Sequence, residues 1–343
     1  MKQRVWNILI AGGIGGTAGI VAACTPTIST AFASSKGSNI REGSKIRTFR
    51  TAADEYYQQK GKLPLPKCMH SSLPVQPSAG ATGKESNDQR KNILVIGDVH
   101  GCLDELLILH QKAVKENDFR DFDYIVLVGD LCNKGPYSAQ VVKHVRSQDR
   151  WLAVRGNHDD GALAAALSDA ERQQRKKYSW AIDQSNPETC LTDADIEYLA
   201  DLPYTLRIPK SYLGDAVDTV VVHAGLVPNL PLEENTIETM TTIREVQKKL
   251  SSAEYRYYKG RKESNQASSE DILPWASVWK GPFRVVFGHD AQRGYQRYEG
   301  DFAIGLDTGC CYGKKLTGII LPSKEIVDVD ALQVYSPIAN KKD

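Results

Sequence analysis

The sequence lacks the features that mark several large classes of protein. Its 343 residues include seven Cys, an odd number, with no Cys-x-x-Cys pair and no zinc-finger spacing, which argues against a disulfide scaffold. The absence of any Asn-x-Ser/Thr site weighs against a heavily glycosylated secreted protein. Positive and negative charges nearly cancel, to +1, and residues 51–343 alone carry −5. That balance excludes a globally basic surface, so no general nucleic-acid binding is expected.

A long uncharged run lies at the N-terminus. Residues 5–24 carry no charge over 20 positions, enough for a helix to cross about 30 Å of hydrocarbon. Three interpretations stay open: a signal anchor within residues 1–24, a signal peptide cleaved near Ala31-Phe32-Ala33, and a mitochondrial presequence, which the lack of acidic residues before Glu42 would suit. The anchor is favoured, so we expect residues 1–24 to bring the chain to a membrane.

The rest of the chain divides by composition. Residues 25–90 are rich in Ser, Thr, Lys, Pro and Gly and show little apolar pattern, which predicts a polar flexible linker. Residues 91–335 contain regular apolar runs and have a length that single α/β domains commonly reach. Residues 336–343 form the predicted C-terminal tail.

Five short apolar runs, rich in β-branched residues, are each followed by polar side chains. The runs occupy residues 92–96, 124–128, 151–154, 219–222 and 284–287, and they are typical of buried parallel strands. The side chains that follow them include Asp98, His100, Asp130, Asn157, His158, His223 and His289. Because ligands bind beyond the carboxyl ends of strands in open α/β sheets, we expect these groups to share one sheet edge.

The residue types indicate a metal centre. Carboxylate oxygens, neutral imidazoles and one amide oxygen, with no thiolate, suit divalent ions such as Mn²⁺, Fe²⁺ or Zn²⁺. Six candidate ligands exceed what one catalytic ion with open positions needs, so two ions that share a bridging carboxylate are the economical interpretation. Each residue taken alone would more often be structural, and the prediction depends on the whole set.

The motifs resemble those of the calcineurin-like metallophosphoesterases. Five blocks occur in the family's order, at residues 97–101, 129–135, 156–159, 223–225 and 288–289. Further segments at residues 133–136, 275–279, 287–291 and 305–313 are similar to the eukaryotic ApaH-like phosphatases, which are related to bacterial diadenosine tetraphosphate hydrolases and to protein Ser/Thr phosphatases. The resemblance implies an α/β fold with two packed mixed β-sheets flanked by helices, and makes residues 91–335 the catalytic domain.

By motif position, the resemblance also implies roles for individual residues. The implied ligands of two divalent ions, among Mn, Zn, Fe and Co, are Asp98, His100, Asp130 as the bridge, Asn157, His223 and His289. The implied catalytic set is His158 as general acid, with Asn133 and Asp159. Lys134 and Arg155 are expected to contact substrate phosphate.

One position departs from the protein Ser/Thr phosphatases. Asn133 stands where those enzymes carry an acid that pairs with the catalytic imidazole, and Lys134 replaces their Arg. A neutral amide orients an imidazole without stabilising its charged form, and Lys contacts phosphate as a point charge instead of a bidentate fork. The pair therefore favours the ApaH-like branch over efficient protein dephosphorylation.

The expected function is hydrolysis of phosphoanhydride bonds, with inorganic polyphosphate as the favoured substrate, because membrane-directed relatives of this branch act as endopolyphosphatases in vacuole-like compartments. That resemblance favours a vacuole-like lumen, with a mitochondrial location as the alternative. The alternative substrates are dinucleoside polyphosphates, nucleotide caps and phosphoproteins. A non-catalytic module that binds a phosphorylated partner is the remote alternative, since every ligand position is filled.

Three further features receive structural interpretations. We expect residues 307–313 to be a strand end and hairpin more than a turn at the active-site mouth. Trp275 and Trp279 are expected to pack on a helix face and not to stack on a base. The basic run at residues 172–177 is expected to be a solvated helix face.

Overall fold

The computed structural model describes residues 63–73, 90–118, 121–183, 188–248, 254–260 and 271–337. The strands in these ranges are β1 (His70–Ser72), β2 (Ile93–Ile96), β3 (Tyr124–Leu127), β4 (Trp151–Ala153), β5 (Thr205–Ile208), β6 (Thr219–Val222), β7 (Glu245–Lys248), β8 (Tyr255–Tyr258), β9 (Ile272–Pro274), β10 (Arg284–Phe287), β11 (Gln296–Arg297), β12 (Ala303–Gly305), β13 (Lys315–Leu321) and β14 (Glu325–Asp330). The α-helices are α1 (Leu103–Glu116), α2 (Ser138–Ser147), α3 (Asn157–Leu167), α4 (Asp169–Gln174), α5 (Asp193–Asp201), α6 (Lys210–Leu213) and α7 (Ile237–Thr242).

The strands form two large mixed sheets and a small one. The five-stranded sheet has the order β14-β13-β2-β3-β4, the six-stranded sheet the order β1-β5-β6-β10-β12-β11, and the three-stranded sheet the order β8-β7-β9. Strands β2, β3 and β4 are parallel, as are β6, β10 and β12. This confirms the predicted α/β fold with packed mixed sheets.

Burial on both faces explains why the strands are continuously apolar. In β2, Ile93 and Val95 join a cluster that also holds Val221 of β6 and Val286 of β10, so this cluster fills the space between the two large sheets. Leu94 and Ile96 belong to a second cluster, on the opposite face. Because side chains alternate across a strand, only a run that is apolar at every position can serve both clusters.

Helices and irregular segments cover the outer faces. Helices α1, α2 and α3 pack on the five-stranded sheet through residues such as Leu106, Val142 and Leu163. On the six-stranded sheet, Trp275 and Trp279 are both 2% exposed and lie in one apolar cluster. The prediction that these two Trp are packed is therefore confirmed, but the predicted helix face is wrong, because Trp275–Val278 is a short 3-10 helix and Trp279 follows its end.

The prediction of a single shared sheet edge was wrong. Strands β2, β3 and β4 belong to the five-stranded sheet, whereas β6 and β10 belong to the six-stranded sheet. The carboxyl ends of the two sheets nevertheless meet, because the N–H of His289 donates to the Asp98 carboxylate at 3.1 Å. The polar groups converge because two sheets are stacked face to face.

Part of the predicted linker belongs to the fold. Residues 70–72 form strand β1, which pairs in parallel with β5 at the edge of the six-stranded sheet, and Leu73 is 1% exposed. Lys67 forms an ion pair with Asp201 at 2.6 Å. An edge strand is held largely by backbone hydrogen bonds, so it needs little of the apolar pattern by which strands are recognised. The linker prediction for residues 25–90 is therefore wrong for residues 63–73.

The predicted membrane-directing segment, residues 1–24, lies outside the described residues, as do residues 25–62, 74–89 and 338–343. Across the ranges that the structure describes, no helix has the length and apolar character needed to cross a bilayer.

Candidate active site

The polar motifs occupy tight turns just beyond the strands. Five of the nine non-glycine residues with positive φ in the described chain lie here, namely His100, Asp130, Asn133, Lys134 and His289, with φ between 49° and 76°. Such conformations cost about 1–3 kcal/mol each and persist where the surroundings impose them. The fold therefore maintains local backbone strain to aim these side chains at one point.

Two carboxylates and three imidazoles meet around Asp130. Its Oδ1 lies 3.4 Å from Nε2 of His223 and its Oδ2 lies 3.5 Å from Nε2 of His100. Nε2 of His100 is also 3.8 Å from Oδ2 of Asp98. Oδ1 of Asn157 is 3.0 Å from both Nε2 of His223 and Nδ1 of His289. All six residues predicted as metal ligands are thus brought together, with Asp130 between two subsets.

Backbone carbonyls orient two of the imidazoles. Nδ1 of His223 donates to the Val128 carbonyl at 3.0 Å, and Nδ1 of His100 donates to the Cys132 carbonyl at 3.3 Å. With the proton on Nδ1, the lone pair of Nε2 faces the carboxylates in each ring. This is the arrangement by which proteins orient metal-binding histidines.

The electrostatics of the cluster favour a cation. Burial raises the pKa of Asp98 well above its usual range, and the charges of Asp307 and Asp130 raise it further. Burial also raises the pKa of Asp130 to about 7 and lowers that of His223 to about 4. Nε2 of His289 is buried with no hydrogen-bond partner among the described residues. Buried acids, neutral imidazoles and an unpaired ring nitrogen together fit a divalent metal centre.

His158 lies beside this cluster and contacts two polar side chains. Its Nδ1 is 2.7 Å from the amide nitrogen of Asn133 and 3.2 Å from the hydroxyl of Tyr178. Its Nε2 is 4.0 Å from Oδ2 of Asp130, and the side chain is 12% exposed. Burial, followed by the charge of Lys134, lowers the pKa of His158 to about 2. The ring is therefore fixed at Nδ1, while Nε2 faces the candidate metal ligands.

Three cationic side chains surround the cluster, and sequence reasoning identified only one as a phosphate contact. Nζ of the predicted Lys134 lies 2.8 Å from Nε2 of His100 and 5.0 Å from the centre of the Tyr312 ring. Arg244 donates to the His289 carbonyl at 3.1 Å, with a side chain that is 45% exposed. Lys177 is exposed, yet its charge helps to lower the pKa of His158. Arg244 follows no recognisable motif, and Lys177 is the last residue of the basic run.

Arg155 does not face this cluster, which corrects its predicted phosphate contact. Its side chain is 0% exposed, and its guanidinium pairs with Asp160 at 2.8 Å. The same group donates to the Ala200 carbonyl at 3.0 Å and to the Tyr204 hydroxyl at 3.0 Å. A guanidinium enclosed by these acceptors is a structural group. Its position next to the Gly-Asn-His-Asp motif gave no indication that the side chain points inward.

Asp159 has a structural position too. Its carboxylate accepts the backbone N–H groups of Leu131 and Gly156, each at 3.0 Å, and the thiol of Cys132 at 3.3 Å. Burial raises its pKa to about 7. The side chain braces the turn that carries Asp130 against the start of α3. Its inclusion in the catalytic set is therefore corrected to a positioning role.

Residues 307–313 border the cluster, contrary to the favoured interpretation. Asp307 is buried and shares a hydrogen bond with Asp98. Tyr312 provides the ring below Lys134. The segment also leads from β12 in the six-stranded sheet to β13 in the five-stranded sheet. The turn therefore joins the two sheets and lines the site, so the interpretation as a turn at the active-site mouth is confirmed and the predicted hairpin is wrong.

Comparison with known proteins shows that the chain is similar to phosphoesterases. The calcineurin-like phosphoesterase family matches residues 91–313. The chain is 27% identical to a symmetrical bis(5'-nucleosyl)-tetraphosphatase of Vibrio parahaemolyticus, over 69% of this chain and 98% of the relative. It is 24% identical to an asymmetrical bis(5'-nucleosyl)-tetraphosphatase of Halalkalibacterium halodurans, over 72% and 96%. The crystal structure of a putative diadenosine tetraphosphatase aligns with a TM-score of 0.57 and 29% identity, covering 78% of this chain and 99% of that one.

Proposed function

The chain belongs to the calcineurin-like phosphoesterase family, and from this premise we propose that it hydrolyses the phosphoanhydride bonds of dinucleoside polyphosphates. The relatives support this substrate class, since those compared above are named as bis(5'-nucleosyl)-tetraphosphatases and are matched over nearly their full lengths. They support it better than inorganic polyphosphate, the substrate favoured on sequence grounds. The chain is a metallophosphoesterase; the choice of substrate is the proposal.

The single observation that carries the proposed hydrolysis is the convergence of five residues with oxygen or nitrogen donors around Asp130, with His158 beside them. Two divalent ions, from among Mn, Zn, Fe and Co, would be held by Asp98, His100, Asp130, Asn157, His223 and His289. Such ions, when bound, neutralise phosphoryl oxygens and favour attack on phosphorus.

The chain's own groups complete the site. His158 would donate a proton from Nε2 to the leaving phosphate oxygen, while Asn133 holds the ring at Nδ1. Lys134 and Arg244 would bind non-bridging oxygens as fixed positive charges. The buried Trp275 and Trp279 are not available to stack on a nucleobase, so recognition of the nucleoside falls to other groups.

The test uses the full-length protein, freed of metal by chelation and then supplied separately with Mn²⁺, Zn²⁺ or Co²⁺. Diadenosine tetraphosphate, long-chain polyphosphate and a phosphopeptide are compared at equal phosphate concentration. We expect metal-dependent release of nucleotide from the first substrate at the highest kcat/KM, and loss of turnover in Asn157→Ala. Preferential shortening of polyphosphate would overturn the proposed substrate and restore the sequence-based prediction.

We further propose that residues 1–24 anchor the protein in a membrane of the secretory pathway. The support is the uncharged run of residues 5–24 and the basic residues Lys2 and Arg4 before it. The tagged full-length protein, extracted from cells with alkaline carbonate, should remain in the membrane pellet and keep its N-terminus. Complete extraction without prior cleavage would refute the anchor, and import into mitochondria would favour the alternative.

A further inference from the structure

A second group of metal-competent side chains lies behind the active site and has no part in the proposed chemistry. The thiols of Cys102 and Cys310 and one carboxylate oxygen of Glu105 lie within 4.8 Å of one another. All three residues are buried, with relative exposures of 0%, 1% and 0%. They come from the start of α1 and from the turn that leads into β13, two segments distant in sequence.

The carboxylate of Glu105 is only partly satisfied. Its Oε1 accepts the backbone N–H of Leu332 at 2.9 Å and the hydroxyl of Tyr335 at 2.8 Å. Its Oε2 is buried with no hydrogen-bond partner among the described residues. Leaving a buried acceptor without a hydrogen-bond partner or a cation destabilises the folded state. A carboxylate oxygen held in this way beside two thiols is short of a cationic partner.

We propose that Cys102, Cys310 and Oε2 of Glu105 bind a structural zinc ion. Two thiolates and one carboxylate are donors that Zn²⁺ accepts, and the three donor atoms lie close enough together to share one ion. Cys102 is the N-cap residue of the 14-residue helix α1, whose N-terminus favours the net negative charge of such a site.

The zinc ion would join the segments that present the catalytic groups. Cys102 lies two residues after His100, and Cys310 lies three residues after Asp307. Through Glu105 the same site holds Leu332 and Tyr335 near the C-terminal end of the described chain. The ion would thus hold in place the two turns that carry His100 and Asp307. Because the position is enclosed, the metal must enter as the chain folds.

Cobalt provides a test that does not depend on activity. The full-length protein is produced in cells grown on Co²⁺, and its absorption is recorded in the near ultraviolet, where thiolate-to-cobalt charge transfer occurs. The proposed catalytic ligands are oxygens and nitrogens, so they contribute no such band. We expect the band in the wild-type protein and in Asn157→Ala, and its loss in Cys102→Ser and Cys310→Ser. Cys190→Ser, which removes a thiol outside the cluster, should keep it.

Two results would overturn the proposal: a wild-type protein without the thiolate band, or a band that persists in folded Cys310→Ser. A Cys102–Cys310 disulfide in protein purified without metal would overturn it as well. If the serine variants fail to fold, Glu105→Gln replaces them, because it keeps the size of the side chain. The band should then persist, and cobalt should leave at a lower chelator concentration than in the wild type. Equal retention would exclude Glu105 as a ligand.

Discussion

His158 depends on a neutral partner. Asn133 fixes the ring through Nδ1, but an amide gives little Coulombic stabilisation to a protonated imidazole. Lys134 disfavours the protonated imidazole, because its positive charge helps to lower the pKa of His158. A substrate with several negative phosphates would counter both effects by placing anionic charge beside the ring. This charge balance supports the dinucleoside polyphosphate that we propose as the substrate over a singly phosphorylated side chain.

The role of His158 predicts a dependence on the leaving group. His158→Ala should lower kcat by about 10²–10⁴-fold on diadenosine tetraphosphate and much less on p-nitrophenyl phosphate, whose leaving group needs no proton. Metal content, measured by mass spectrometry, should stay near that of the wild type. Asn157→Ala is the matched control, since it should lose both metal and activity. An equal loss on both substrates would exclude proton donation by His158.

Arg155 and Lys134 predict opposite phenotypes. Arg155→Met should lower the free energy of unfolding by about 3 kcal/mol, because it removes a fully buried guanidinium and leaves the partly buried Asp160 without its ion-pair partner. The KM of the folded variant should be unchanged. Lys134→Met should instead weaken turnover with little change in stability. Both variants are compared by urea unfolding and steady-state kinetics, and a stable Arg155→Met protein with a raised KM would return Arg155 to the substrate site.

At the scale of elements, the segments that follow the strands approach one another through positions that tolerate no side chain, both within the five-stranded sheet and between the two large sheets. A Cβ on Gly156, the N-cap residue of α3, would lie 2.3 Å from Oδ1 of Asp130. A Cβ on Gly288 would lie 1.9 Å from Oδ1 of Asp98. These glycines permit strand ends from separate segments to meet within hydrogen-bonding distance.

Gly156→Ala tests this close approach without backbone strain, because φ is −98° and ψ is 172° at this position. The added methyl group should displace Asp130 and lower kcat/KM by about 10²-fold, the effect of roughly 1 Å of misplacement. Gly294→Ala is the control: its φ is +70°, yet its Cβ would meet nothing within 4 Å, so it should lose stability and keep activity. Wild-type activity in Gly156→Ala would show that the turn can move to accommodate the methyl group without displacing Asp130.

For the molecule as a whole, burial of histidines predicts sensitivity to acid. His144 of α2 lies edge-on to Trp151, with ring centres 4.9 Å apart, and burial lowers its pKa below 6.5. The unfolded chain therefore binds a proton at His144 more readily than the folded chain does. The stability that neutral His144 contributes is present above about pH 6.5 and is lost as the pH falls through its lowered pKa.

His144→Gln removes this contribution. Between about pH 7.5 and pH 5, the wild-type protein should lose more thermal stability than the variant, measured by circular dichroism with metal conditions held constant. The two proteins at the higher pH are the reference, because His144 is neutral there. An identical pH dependence in both would mean that the folded and unfolded chains bind a proton at His144 equally, so that burial does not lower its pKa.

Prediction from sequence succeeded where the signal is local. Asp98, Asp130 and His223 each follow an apolar strand within three residues, so neighbouring letters alone identify them as candidate ligands. Arg155 failed for the opposite reason: the direction of its side chain depends on Asp160, Ala200 and Tyr204, partners that no local pattern reveals. Arg244 was missed in the same way, since it reaches His289 from 45 residues away.

Strand β1 determines where the protein can be shortened. A chain that starts at Ser86, just before the first strand that leads into a motif, would lack residues 63–73 and leave the outer backbone groups of β5 exposed to solvent. It would also withdraw the Pro64 carbonyl, which accepts from the Arg155 guanidinium at 3.3 Å. An unpaired sheet edge is a template for association with other chains. Recombinant protein cut at the motif boundary should therefore aggregate, and a start before residue 63 should keep it monodisperse.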